Sequence, residues 1–408
     1  MPKWTNKGHE FDELGNYFRK NKNILILGYD EKKNNKIKEK LNFLAAKVNI
    51  TTKKVNTFLY YLIKYFGIAF LPKNTIIIVE QDSPKILRRL LSHKSVQQNK
   101  NLFIQNDFFE KYLSIFALYV ADITYSESQC VVITTHCSLN CKHCLNFNPY
   151  IKDKSHNDFE EIKKSIDTYF KAFDRCGLFH LTGGEPFLWS HCSELFKYIY
   201  NNYKDRYVEL GVSSNLVVAL SDELCQTLHD CQVVLFVDDY TDQIDEKKIE
   251  IFNQSLEKLK KHNVNYAINK GSELQWFSIF PPVKDDSQKS ESYLIEKYDT
   301  CGLRYSEIRH GYISNCDYFG FAQRAGIVKE DYSEWYNLNT YTKDKKFELI
   351  EYRLGYSEKG YPEFCKYCNG YININPNNFV PVGEQVKGTL SWNRENPLEI
   401  IYDKETVE

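Results

Sequence analysis

Between residues 130 and 269, short apolar runs alternate with amphipathic stretches, and this alternation restricts the fold more than any other feature of the chain. CVVITT, LFHLT, YVELGVSS, VVLFVDD and VNYAIN read as strands, with DFEEIKKSIDTYFKAF, SELFKYIYNNY, SDELCQTLHD and KKIEIFNQSLEKLKK as the helices between them. Strands that each lead into a helix of this length form a parallel sheet that curls toward a barrel. The expectation is an α/β fold built on a partial (βα)6 TIM-type barrel over residues 126–290, with its chemistry at the C-terminal ends of the strands.

The chain has 408 residues, more than one hydrophobic core usually serves, so further domains are expected on either side. Upstream, NILILGYD, NTIIIVEQD and NLFIQ read as strands. DEKKNNKIKEKLNFLAAKV reads as a helix, with Ile37, Leu41 and Leu44 at helical spacing, and SPKILRRLL as another capped by Ser83. Residues 1–125 are therefore expected to form a Rossmann-like N-terminal domain. Gly28 is followed by Tyr29, Asp30, Glu31 and Lys32, so the glycine turn that cradles a dinucleotide is missing. The layout is similar to degenerate Rossmann-type domains in enzymes of carbohydrate gene clusters. ADITYSESQ reads as a polar connector, and residues 291–408 as a small domain with too few periodic apolar residues for a large core of its own.

Charge divides the same way: residues 1–125 hold 21 Lys and Arg against 11 Asp and Glu, and the remainder 32 against 43. The whole chain nets −1, which gives no case for nucleic acid as a partner. The N-terminus lacks an apolar leader, and YYLIKYFGIAFL, interrupted by Lys64, is too short to span a bilayer. No membrane association and a cytoplasmic location are expected. In a reducing compartment the 12 cysteines are free thiols, metal ligands or redox groups rather than disulfides.

Three of those cysteines, Cys137, Cys141 and Cys144, lie in HCSLNCKHC directly after the strand CVVITT. Asn140, Lys142, Asn146 and Asn148 surround them, so nothing apolar in the loop accounts for them as buried packing residues. Thiolates gathered in this way suit zinc or an iron–sulfur cluster. Structural zinc wants four ligands, whereas three thiolates on a four-iron cube leave one iron open to substrate. CSLNCKHC, with His143 before the third cysteine, resembles the Cys-x3-Cys-x2-Cys motif of the radical S-adenosylmethionine (SAM) enzymes.

That resemblance implies a [4Fe-4S] cluster held by Cys137, Cys141 and Cys144, with SAM on the open iron. In HLTGGEP, Gly183 and Gly184 let backbone carbonyls approach a ligand, and Glu185 adds an acceptor; in the family this segment holds the amino group of SAM. VSSN places Ser213, Ser214 and Asn215 at the next strand end, where similar enzymes touch the ribose and carboxylate of SAM. His143 joins these as a cofactor-binding residue. The implied chemistry is reductive cleavage of SAM to a 5′-deoxyadenosyl radical, with a flavodoxin- or ferredoxin-type protein as reductant.

A second set, Cys301, Cys316, Cys365 and Cys368, brackets Gly311 and ends in FCKYC. It is similar to the auxiliary-cluster domains called SPASM and twitch, and the absence of cysteines after Cys368 favours the twitch form with one second [4Fe-4S] cluster. Structural zinc suits the same four thiols. Cys130, Cys176, Cys192, Cys225 and Cys231 have no metal spacing and read as core residues. Asp238, Asp239 and Tyr240 end the strand VVLFVDD, where a base or substrate contact is needed, and strand-end acids also cap helices. His180 shares the parity of Thr182, and His9, Glu10 and Asp12 sit in a segment read as the start of a surface helix.

The expected function is a radical SAM oxidoreductase acting on a polar small molecule of the sugar or nucleotide-sugar type. Modification of a ribosomal peptide and a non-catalytic zinc-bearing binding protein are the alternatives.

Overall fold

The computed structural model describes residues 8–66, 74–270, 276–301, 305–371, 374–375, 377–393 and 400–402. A first parallel sheet contains β1 (Asn23–Gly28), β2 (Ile50–Lys54), β3 (Thr75–Val79) and β4 (Leu102–Ile104) in the order β2-β1-β3-β4. Alternate side chains serve two cores: Ile24, Ile26, Ile76 and Ile78 enter the main core, whereas Leu25, Leu27, Ile77 and Val79 pack with Ile63, Ile86 and Leu90 of the helices Thr57–Phe66 and Pro84–Leu91. Near-continuous apolar runs such as TIIIV follow from this burial on both faces. At the end of β1, Asp30 accepts the backbone N–H groups of Lys32 and Lys33 and caps the helix Glu31–Lys40. A Cβ on Gly28 would lie 2.4 Å from Asn34 Oδ1 and 2.7 Å from Glu80 Oε2, so buried polar side chains already occupy the space over this turn.

Sequence patterning missed β2, whose ITTKK is exposed at three of five positions, whereas the segment read as the start of a surface helix opens the helix Gly8–Lys20. Asp12 on that helix accepts a hydrogen bond from the Tyr119 hydroxyl; the side chains of His9 and Glu10 lie outside the described residues. The expected helix after β1 is shorter than its apolar pattern, ending at Lys40, with Leu41 and Leu44 buried in the turn that follows. Ser83 precedes the helix Pro84–Leu91, but its hydroxyl donates to Glu80 instead of accepting from the helix. Residues 67–73 of the apolar stretch near Lys64 lie outside the described residues. Among the described residues no helix is long and apolar enough to cross a membrane.

The second sheet is assembled from β5 (Tyr125–Thr134), β6 (Arg175–Gly183), β7 (Tyr207–Ser214), β8 (Val234–Asp239) and β9 (Asn265–Lys270), each parallel to the next. The helices Phe159–Ala172, Cys192–Tyr203, Asp222–Asp230 and Glu246–Lys261 connect them. Phe179, Leu181, Leu210, Val212, Leu235 and Val237 face those helices in the main core. The opposite parity, including His180, Ser213, Phe236 and Asp238, is only partly buried and forms the concave face.

Two boundaries differ from the sequence expectation. ADITYSESQ is not a connector, because β5 begins at Tyr125 and its serines are buried, with the Arg353 guanidinium donating to Ser126 Oγ and to the Ser128 carbonyl. Polar side chains satisfied by a distant arginine disguise a strand as a loop. The parallel strand beyond β5 comes from past residue 290: after the short β10 (Trp276–Phe277), β11 (Glu307–Arg309) pairs with β5, Glu307 opposite Cys130. β12 (Tyr312–Ile313) and β13 (Tyr336–Asn337) continue this sheet antiparallel.

The last third also packs better than its periodicity suggests. Phe277, Ile279, Phe280, Tyr318, Phe319, Phe321, Trp335 and Phe364 form a core with Phe147 and Tyr150 of the cysteine loop. Many of these side chains come from turns and short helical segments, so no period of two or 3.6 marks them. The main core runs without a break from Phe11 to Tyr356, joining the first sheet to the second.

Candidate active site

The loop after β5 brings Cys137, Cys141 and Cys144 into one cluster with Leu139, Val217 and Tyr240. Burial pushes all three thiols up, Cys141 to about 12. Glu185 adds to this at Cys137, and Asp238 at Cys141 and Cys144. Buried acids gathered in this way want a cation, which would turn thiols into thiolates. Hydrogen-bond donors aimed at sulfur point the same way: Asn215 Nδ2 lies 3.6 Å from Cys137 Sγ, and Gln385 Nε2 3.1 Å from Cys141 Sγ. Backbone N–H groups of Leu139, and of Asn146 and Asn148, serve Cys137 and Cys144. This donor set fits an iron–sulfur cluster.

GGEP is zipped onto the end of β5. The Gly184 N–H donates to the Thr134 carbonyl at 2.8 Å, and the Glu185 N–H to the His136 carbonyl at 2.7 Å. A Cβ on Gly183 would stand 2.2 Å from Thr134 O, and one on Gly184 2.1 Å from His136 O. These glycines are thus required for the contact between two strand ends, a role the sequence reading did not assign.

Glu185 is fully buried, and burial raises its carboxyl to about 7. Its oxygens accept from Ser214 Oγ at 2.8 Å, Asn215 N at 2.9 Å and Phe187 N at 3.2 Å. Glu185 therefore ties GGEP to VSSN. Ser213, Ser214 and Asn215, the residues expected at the ribose and carboxylate of SAM, differ in how their polar atoms are engaged. Ser214 Oγ is engaged by Glu185 and by the Leu216 N–H, while Asn215 accepts from Ser138 and Val217 and donates to Cys137. Ser213 alone lies on the concave face, its hydroxyl 3.1 Å from His180 Nε2. His180 Nδ1 is buried with no hydrogen-bond partner among the described residues, and burial lowers the imidazole to about 4. His143 Nδ1 is likewise unpartnered among the described residues, and burial lowers that ring too.

The strand-end acids separate. Asp238 accepts from Asn269 Nδ2 at 3.3 Å and from the Tyr240 hydroxyl, and burial raises it to about 6. Asp239 is spent on its own turn, accepting the Thr241 N–H and hydroxyl at 3.0 and 2.7 Å, so the base role expected of it is not supported by its position. Tyr240 packs edge-on against Trp276, 5.5 Å between centroids, beside the three thiols.

Cys301, Cys316 and the Cys365–Cys368 pair come from three separate points on the chain, yet each of Cys316, Cys365 and Cys368 is pushed up by burial and by thiols of the same set, Cys368 to about 12. The N–H of Tyr371 reaches Cys301 Sγ at 3.3 Å, and that of Gly370 reaches Cys368 Sγ at 3.2 Å. Lys297 Nζ donates to the carbonyls of Cys365 and Cys368 and to Asp286, bringing a cation beside the thiols. Gly311 sits in the β11–β12 turn at φ +75°, where a Cβ would strike Asn339. Among the described residues no three His, Cys, Asp or Glu side chains are gathered as one metal ion requires. Among the described residues no disulfide forms, and Cys130, Cys176, Cys192, Cys225 and Cys231 are buried, as expected of core residues.

Two features escaped the sequence reading. Gln385 belongs to a segment 246 residues from Asn140 along the chain that nonetheless lies on the cysteine loop. Asp317, beside Cys316, is buried and raised to about 7 by that burial. Neither carries a motif.

Residues 131–269 match the family model described as the radical SAM superfamily. No curated protein matches. Among solved structures, the chain is similar to BtrN in complex with AdoMet and 2-DOIA, with a TM-score of 0.40 and 14% identity over 62% of this chain and 98% of that one. Native anSMEcpe with bound AdoMet gives 0.39 and 11%, over 62% and 94%. Streptococcus suis SuiB bound to S-adenosylmethionine gives 0.34 and 12%, over 71% and 79%.

Proposed function

We propose that the protein is a radical SAM oxidoreductase that removes hydrogen from a polar small molecule, with a second cluster at the four-cysteine set serving the electron balance. The observation that carries this reading is the set of three thiols, Cys141 buried and Cys137 and Cys144 half-buried, with N–H donors on their sulfurs at the C-terminal end of a parallel strand. When bound, a [4Fe-4S] cluster and SAM supply one electron and a cleavable sulfonium, yielding a 5′-deoxyadenosyl radical.

The chain's own residues do the rest. Cys137, Cys141 and Cys144 would hold the cluster, and Glu185 fixes the relative position of the two strand ends through Ser214 and Asn215. Tyr240, Trp276 and Leu139 keep water from the thiols. Asp238, raised to about 6, accepts the proton that leaves a substrate hydroxyl during oxidation. Ser213 and His180 line the concave face with hydrogen-bonding groups, which suits a polyhydroxylated substrate such as a sugar or nucleotide sugar better than an apolar one.

Cys301, Cys316, Cys365 and Cys368 would hold the second cluster, and Lys297 would favour its reduced form. Sugars and nucleotide sugars are assayed by 5′-deoxyadenosine formation in reduced, reconstituted enzyme. Stimulation by a sugar nucleotide supports the substrate class, and stimulation by a peptide alone overturns it.

A further inference from the structure

The segment 379–388 returns from the four-cysteine region and lies across the three-cysteine loop. It begins as β14 (Phe379–Val380), paired with β10, so that Trp276 stands opposite Val380. Gly383 follows at φ +73°, where a Cβ would meet the Tyr240 ring at 3.1 Å; only a glycine fits this turn without strain. The strap then bonds to the loop main chain: Lys142 N–H to Glu384 O at 2.7 Å and Val386 N–H to Asn140 O at 2.9 Å. Asn140 Nδ2 adds bonds to the carbonyls of Val386 and Gly388 at 3.0 and 2.8 Å, and Lys142 pairs with Glu384 at 3.1 Å.

Gln385 is held at the centre of this contact with its amide orientation fixed. Its Oε1 accepts the Asn140 N–H at 2.8 Å, which only an oxygen can do, so Nε2 must face the other way. That nitrogen has two hydrogens and two acceptors: Gly383 O at 2.7 Å and Cys141 Sγ at 3.1 Å. Nothing about the amide is left unsatisfied, and the backbone of the loop itself aims the donor at the sulfur. Hydrogen bonds to ligand sulfurs are one of the protein's means of setting an iron–sulfur potential. A donor stabilises the more negative, reduced state more than the oxidised one, so it raises the midpoint.

We propose that Gln385 is a positioning residue for the first cluster, its side-chain N–H on Cys141 Sγ raising the midpoint potential so that the cluster is more easily reduced. This inference rests on the three-cysteine loop holding a cluster. It does not depend on the substrate.

The test is an EPR-monitored redox titration of reconstituted full-length protein without substrate. Gln385→Met removes the donor at similar length; Gln385→Glu keeps an acceptor for the Asn140 N–H but replaces the donor with a negative oxygen. The expected order of midpoints is wild type, then Gln385→Met, then Gln385→Glu. The span should be about tenfold in the one-electron reduction equilibrium, about 59 mV. Lys142→Arg, which keeps the positive charge beside Glu384 and leaves the amide in place, is the control and should keep the wild-type midpoint. Equal midpoints in wild type and both Gln385 variants overturn the inference, as does an equal fall in Lys142→Arg. A wild-type protein with no signal dependent on Cys137, Cys141 and Cys144 instead refutes the reading of the site itself.

Discussion

The two cysteine sets solve the same problem in opposite ways. Cys137, Cys141 and Cys144 lie within eight consecutive residues, and their geometry is imposed from outside by the end of β6, by Asn215 after β7 and by Gln385 of the strap. Cys301, Cys316, Cys365 and Cys368 come from the end of a helix, the start of another and a short helical turn, and their surroundings are an aromatic core with one buried lysine. A local set sits on one loop that the finished fold positions, whereas a dispersed set joins separate elements to one another. Loss of the first should thus remove chemistry, and loss of the second should also remove structure.

The sharpest way to break this contrast is to delete one thiol from each. Cys141→Ala is expected to reduce 5′-deoxyadenosine formation to background, while the soluble yield and the melting temperature of the metal-free protein stay near wild type. Cys365→Ala is expected to retain SAM cleavage while losing about four irons, one cubane's worth, and to lower net turnover or soluble yield. Equal loss of SAM cleavage in both variants would dissolve the distinction between the two sites.

A third substitution tests how firmly the dispersed set is anchored. Buried Glu307 accepts from Arg309 and Arg324, and despite its burial those guanidinium groups hold the carboxyl down to about 2. Its folded pKa lies below the unfolded value of about 4.3, so its contribution is complete above that value and fades as the pH falls toward 2. Glu307→Gln leaves two arginines without their charge partner and should cost about 3–5 kcal/mol at pH 7. Thermal melts should show the gap between wild type and variant narrowing below pH 4. Asp239→Asn, at the other extreme, removes only the charge from a turn cap and should cost less than about 1 kcal/mol, with SAM cleavage unchanged within about twofold. A large loss there would restore Asp239 as a chemical group.

The same contrast explains what could be read before the fold was known. The barrel strands β6 to β8 and their helices were legible because alternate residues such as Phe179, Leu181, Val212 and Val237 face one core. The three-cysteine loop and GGEP were legible because each is contiguous. The start of β5 was not, since Ser126 and Ser128 are polar residues buried against Arg353, and neither was β11, three residues long and placed by pairing with a strand about 180 residues earlier. Glu185 was read in one motif and Ser214 and Asn215 in another, both with ligand contacts, whereas most of their hydrogen-bonding capacity is spent on one another and on the loop. Gln385 left no trace in sequence because its role depends on one long-range return of the chain.

Iron and acid-labile sulfide, counted on anaerobically reconstituted wild type and on the Cys137→Ala, Cys141→Ala, Cys144→Ala triple variant, test the central claim most directly. About eight irons in the wild type and about four in the variant, with 5′-deoxyadenosine from SAM only in the former, is the expected outcome. Bound zinc without iron, or an iron count that the triple substitution leaves unchanged, would contradict it.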